Sequence, residues 1–233
     1  MKLIKFFSMF LVILTVFSCS AQINGTLSAD GSASMSVNMS LGQRMVALIR
    51  ALTSAGGQAD SLILDGQAIS GSISRTPGIA SVMLRNTNPS TVEGTVRISD
   101  ISNFIFVSSE TSRRGGFITF EQNNNGGYCQ INVNRSNGFQ IISLLSPEIS
   151  DYLNALMAPI VTEEELSKTE YLELVASFYN KPLSDEIAAS RIRASIEFPG
   201  TITAVRGGTY SGRRAEFNIA LVDLLVLETP VAL

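Results

Sequence analysis

Between residues 33 and 41 the chain alternates without a break, with Ala33, Met35, Val37, Met39 and Leu41 on one side and Ser34, Ser36, Asn38 and Ser40 on the other. Only an extended strand puts every second side chain on one face, and a strand with one apolar face belongs in a sheet that covers that face. Residues 23–28 read as its partner. Ala29-Asp30-Gly31-Ser32 between them has the Asp-Gly signature of a tight hairpin. Further strands are expected at 79–85, 91–99, 117–121, 128–134, 191–198, 201–206 and 213–221, separated by Asn-, Pro- and Gly-rich turns. Asn123-Asn124-Asn125-Gly126-Gly127 closes one hairpin, and Gly207-Gly208-Thr209 is read as the turn of another.

Helical spacing interrupts the strands. Met45, Leu48, Ile49 and Leu52 form one stripe over 43–53, stopped by Gly56-Gly57, and a weaker helix is expected over 65–75 before Pro77-Gly78. Ser146-Pro147 caps a stripe of Ile149, Tyr152, Leu153, Leu156, Met157 and Ile160. Thr162-Glu163-Glu164-Glu165 fits a capping box, with acids suited to the positive end of the helix dipole, and predicts a helix to about 179 with Leu174, Val175 and Phe178 inward. A short helix or turn follows Pro182. The pattern is α+β: a curved, mostly antiparallel β-sheet with helices packed on one side and a helical insertion at about 146–180, extending to about 190 with the short helix.

The first residues read as an address rather than as part of that domain. Lys2 and Lys5 precede an apolar run from 6 to 17 broken only by Ser8 and Thr15, and Ser18, Cys19, Ser20 and Ala21 follow. This is the order of an export signal, and a run of about a dozen apolar residues is short of the roughly 20 that a spanning helix needs. Val16-Phe17-Ser18-Cys19 is similar to the bacterial lipobox, whose cysteine is acylated and becomes the first residue, although Phe17 stands where a small residue is usual. Ordinary cleavage after Ala21 competes with it. The expectation is a signal peptide over 1–18, lipidation at Cys19, and one extracytoplasmic domain over 19–233.

Composition then narrows the function. Without residues 1–18 the 17 basic residues lose Lys2 and Lys5, so 15 face 20 acids, a net charge of −5 that suggests no nucleic-acid partner. About 215 residues can bury a core without staples. There is no histidine, which removes Ser-His-Asp and Cys-His nucleophiles, histidine metal sites and histidine acid–base work. If Cys19 is acylated, Cys129 has no disulfide partner; in 128–134 it shares a face with Ile131 and Val133, as a small core residue would. Glu163, Glu164 and Glu165 point in different directions on a helix and cannot converge on one cation. Arg113-Arg114 and Arg213-Arg214 read as solvated hairpin ends that could also touch anionic headgroups. The glycine-rich stretches lack dinucleotide or P-loop spacing.

The most specific segment is 196–202, Ile-Glu-Phe-Pro-Gly-Thr-Ile, followed by Gly207-Gly208, Gly212 and the strand 215–221. Together these resemble the closing hairpin of LppM-like bacterial lipoproteins, with Phe217 where that family's returning strand carries tryptophan. Ala29-Asp30-Gly31-Ser32 with its alternating strand is similar to the family's opening. The resemblance implies an envelope domain that handles lipid or glycolipid, an α+β sheet curled over an apolar interior without catalytic residues. The expectations are therefore no enzymatic activity, no cofactor, no metal, a membrane reached through the N-terminal lipid, and either an apolar ligand such as lipid or an envelope protein partner. In the second case the Asn- and Ser-rich loops 86–91 and 122–127 would face the partner.

Overall fold

A computed structural model describes residues 20–52, 62–101, 118–123, 126–138 and 165–233. The helix expected at 149–160, the doublet Arg113-Arg114 and the turn Gly56-Gly57 lie outside them. The fold is α+β: a seven-stranded, mostly antiparallel open sheet with helices on one side, and a small three-stranded sheet.

The chain opens with β1 (Ser20–Leu27) and β2 (Ala33–Ser40), an antiparallel hairpin in register from Ser20 opposite Ser40 to Leu27 opposite Ala33. Its turn is made as the Asp-Gly signal requires. Gly31 takes φ 82°, and the Asp30 carboxylate accepts hydrogen bonds from Ser32 N (2.9 Å) and Ser32 Oγ (2.7 Å), which hold its pKa below the ordinary value. Helix α1 (Gln43–Leu52) follows β2, and α2 (Gly66–Ile73) is capped by Asp65, whose side chain accepts from Gln67 N and Ala68 N. Strands β3 (Ile79–Asn88) and β4 (Thr91–Ile98) form the next hairpin, and β4 joins β2. The two strands come close at Gly94, where an added Cβ would lie 1.8 Å from Met83 O.

Strands β5 (Ile118–Asn123) and β6 (Gly126–Val133) pair through the predicted hairpin; together with β10 (Val231–Ala232) they make the small sheet. Then come α3 (Lys168–Phe178), α4 (Lys181–Ala189), β7 (Arg191–Glu197), β8 (Gly208–Ser211), β9 (Arg214–Ala220) and α5 (Leu221–Val226). The large sheet runs β3-β4-β2-β1-β7-β9-β8, and its one parallel pairing is β1 with β7.

Four sequence expectations are corrected. The capping box that opens α3 is Ser167-Lys168-Thr169-Glu170: Ser167 Oγ accepts from Glu170 N, Glu170 reaches back to Ser167 N, Glu165 lies before the helix, and residues 162–164 lie outside the described ones. Both segments fit the same short pattern, and Tyr171 and Val175 of the helix so opened lie in the core. The inward face of α3 is accordingly Tyr171 and Val175; Leu174 and Phe178 are exposed. Residues 201–206 form no strand, and of the turn expected at 207–209 only Gly207 lies at a bend, Gly208 and Thr209 being the start of β8. The hairpin bend lies at Gly212 (φ 60°). Strand β8 is exposed at every position, so it carries no alternation to read.

Packing is divided among three buried clusters. One joins Met45 of α1, Tyr171 and Val175 of α3, Leu183 and Ile187 of α4, and Val222, Leu225 and Val226 of α5. Another packs Leu64 and Ile69 of the α2 segment on Leu84 and Val92, and the third gathers Leu27, Ala33, Ile98 and Ile101 at the turn end of the β1–β2 hairpin. The helical cluster is pinned by Glu186. Its carboxylate is 7% exposed and accepts from Arg44 N (3.0 Å) and Met45 N (2.9 Å), capping α1 from α4. A negative group here meets two unsatisfied amides at the positive end of a helix. Gly42 makes room for it, since a Cβ there would lie 2.3 Å from Glu186 Cδ.

Glu186→Ala leaves the buried Met45 amide and the part-buried Arg44 amide without this acceptor and is expected to cost about 2–4 kcal/mol, against about 1 kcal/mol for Glu186→Gln. Urea unfolding measures both; equal, negligible losses would contradict the capping role. Tyr171 Oη is buried with no hydrogen-bond partner, so Tyr171→Phe is expected to leave stability unchanged or raise it by about 1 kcal/mol in the same assay.

Candidate functional site

Because facing residues in paired strands share a side, the register converts the alternating strands into rows across the large sheet. One row runs Leu84, Gly94, Val37, Ile23, Ala194, Phe217, Gly208. The next runs Val82, Val96, Met35, Gly25, Ile196, Ala215, Tyr210, and a third runs from Val92 through Met39, Ala21 and Ile192 to Ile219. No charged side chain interrupts these three rows.

The central part of this face is only half-buried. Ile23, Val37, Ala194, Phe217, Ile192 and Ile219 each retain intermediate exposure, and none of them belongs to the three buried clusters. Gly25 sits in the middle of it with Ile196 Cδ1 3.0 Å and Met35 Cγ 3.2 Å from where a Cβ would be, so the neighbouring side chains close over the glycine. An apolar surface of this extent can accept a hydrocarbon chain, and the one polar side-chain group in the rows, the Tyr210 hydroxyl, donates to Thr203 O (3.0 Å).

The opposite face is polar. A shallow recess of about 380 Å³ lies over Asn24, Thr26, Ser34, Ser36, Thr95, Ser195 and Glu197. The Arg213-Arg214 doublet borders it and is engaged with Glu197, which agrees with a solvated hairpin end. A second recess of about 580 Å³ lies between the Asn134–Ser136 turn, the start of α3 and the segment after α5. Its polar groups are largely spent on internal bonds. Arg135 donates to Leu227 O and Leu166 O, Lys168 N donates to Glu228, and Lys168 Nζ bonds Asp223 at 2.8 Å, which raises the lysine pKa. Among the described residues no group of acids and cysteine has metal-binding spacing. No described helix is long and apolar enough to cross a membrane.

Cys19, the predicted lipidation site, lies outside the described residues, but the residue after it is already in β1. Ser20 pairs with Ser40 on one side and Arg191 on the other. Cys129 is half-buried beside the partly buried Ile131 and the buried Val133, as its alternation predicts, and burial pushes its thiol pKa up. The loop at 86–91 is less available to a partner than its composition suggests. Asn86 donates to Leu64 O and accepts from Gly66 N, and Asn88 accepts from Ser90 N and Oγ. Sequence reading missed the continuity of the apolar face, since rows exist only once register is known, and it missed α5 and β10. Glu186 did carry a signal: it falls three residues after Leu183 and just before Ile187, on the inward stripe of a helix.

No family model matches the chain, and no curated protein does. Among solved structures, the folded domain of the Mycobacterium tuberculosis LppM protein, determined by NMR, is similar over 93% of this chain and 86% of that chain, at a TM-score of 0.39 and 8% sequence identity. A score of that size marks a loose likeness in chain course, and no residue role carries over from it.

With its pKa raised by burial, the Cys129 thiol is expected to react with iodoacetamide at pH 8 at least tenfold more slowly in the folded protein than in urea. Equal rates, followed by mass spectrometry, would show a freely exposed thiol instead.

Proposed function

We propose that this protein is a non-enzymatic, lipid-anchored component of a bacterial cell envelope that holds an apolar ligand, such as a lipid acyl chain, against the large sheet. The observation that carries the reading is the apolar face, whose central rows stay half-exposed and uninterrupted by charge. An uncovered surface of that kind is costly in water, at roughly 25 cal/mol for each Å². A hydrocarbon ligand removes the cost. The order of basic start, apolar run and Cys19 supports export and acylation, and two or three acyl chains make a stable anchor because each buried CH₂ contributes about 0.8 kcal/mol. Absence of histidine agrees with a binding role. The alternative, an interaction lipoprotein that presents its Asn- and Ser-rich loops, is weakened by the use of Asn86 and Asn88 within their own turn.

Titration with N-phenyl-1-naphthylamine, whose emission rises in apolar surroundings, tests this. Saturable binding is expected, displaced by phospholipid. Phe217→Asp and Ala194→Trp, the first introducing charge and the second filling space, are each expected to weaken it tenfold or more, with Ser36→Asp on the polar face as the unaffected control. Circular dichroism confirms that the variants fold. Absence of saturable binding, or equal binding by all variants, would overturn the proposal.

A further inference from the structure

The C-terminal end of α3 is the most exposed apolar feature among the described residues. Phe178 is 78% exposed, and Leu174, one helical turn before it, is 40% exposed. Tyr179 follows at 41%. The segment is held rather than frayed: Tyr171 and Val175 on the other side of α3 are in the helical core, Ser184 Oγ donates to Leu172 O at 2.8 Å, and Asn180 Oδ1 accepts from Leu183 N at the bend into α4. A rigid helical hairpin therefore presents an aromatic and a leucine to its surroundings.

The position of this tip relative to the anchor follows from the topology. Helix α4 feeds directly into β7, whose first residue, Arg191, pairs with Ser20, so the residue that follows Cys19 in the chain lies about one strand spacing, some 4.8 Å, from the start of β7. Back along α4 at 1.5 Å per residue, with the bend at 179–180 and the step through Ser190 added, Phe178 is within about 35 Å of Ser20. The helical core also takes in Leu41, Ala220 and Leu221, the residues at which β2 and β9 run out. The helices thus gather at the Cys19 end of the sheet, with the β1–β2 turn at the opposite end.

We propose that Leu174 and Phe178 dip into the bilayer beside acylated Cys19, so that the domain touches the membrane at two points and stands on it in one orientation. This rests on the lipid-anchor reading above. Since Ser20 is already paired on both sides, there is no slack chain between anchor and fold, and what the helices present at that end of the sheet is held against the lipid. Aromatic side chains favour the headgroup level. The exposed Lys181, paired with Asp185, can extend its charge outward while its stem lies along the apolar boundary. The lipid surface is thus the occupant that this patch meets, and the turn at 28–32 points away from it.

The test uses the mature protein from its own membrane, with Cys129→Ala and a fluorophore on either Phe178→Cys or Ala29→Cys, reconstituted into phosphatidylcholine vesicles containing shallow nitroxide-labelled lipid. Intact mass reports acylation at Cys19 independently. Quenching at 178 at least fivefold stronger than at 29 is expected. Equal quenching at the two positions in acylated protein would overturn the membrane-touching tip and leave the anchor standing. A mass without acyl groups would remove the anchor itself, and the proposal with it.

Discussion

The large sheet depends on one seam. Its N-terminal strands β3, β4, β2 and β1 and its C-terminal strands β7, β9 and β8 are joined only where β1 runs parallel to β7, from Ser20 beside Arg191 to Thr26 beside Glu197. Bringing these strands together closes the chain from 28 to 190, which costs about 4–5 kcal/mol of chain entropy if that chain is treated as a flexible loop. The Glu186 carboxylate locks the same junction from the helical side by capping α1 from α4, and Ser190 O accepts from Leu221 N where β9 passes into α5. The seam makes one continuous apolar face out of two half-sheets. It also sets Ser20, the first described residue, beside the start of β7, where α4 ends.

An open sheet with seven strands has two faces to satisfy. The polar face does so with Ser, Thr and Asn at its centre and with the pairs Arg85–Glu93 and Arg213–Glu197 towards its edges. Exposed pairs of this kind contribute little, on the order of 0–1 kcal/mol, and serve solubility more than stability. The apolar face is buried where α2 lies on β3 and β4 and at the turn end of the β1–β2 hairpin. Between these it remains half-exposed. This unevenness of cover is the feature on which the proposed apolar ligand rests.

Much of this was legible in the sequence. Strict alternation marked β2, β7 and β9, the Asp-Gly pair marked the first turn, and Asp65 and the stripe from Met45 marked the first two helices. The errors share a physical cause. Two segments around 162–170 satisfy the same capping pattern, and a four-residue pattern does not choose between them. Strand β8 has no inward side, so its pairing through backbone bonds to β9 left no trace in its residues. The alternation of β1, β2 and β7 shows that each strand has an apolar face, but not that β1 and β7 lie side by side. The candidate site is a property of register, and register between strands so far apart is not written in either one.

The most direct measurement is native mass spectrometry of the protein extracted gently from its own envelope. The account predicts a complex heavier than the acylated polypeptide by one non-covalently held apolar molecule, which separates on activation and is recovered in the organic extract. A polypeptide carrying only its covalent acyl groups, with no apolar molecule in the extract under conditions that keep the fold intact, would contradict it.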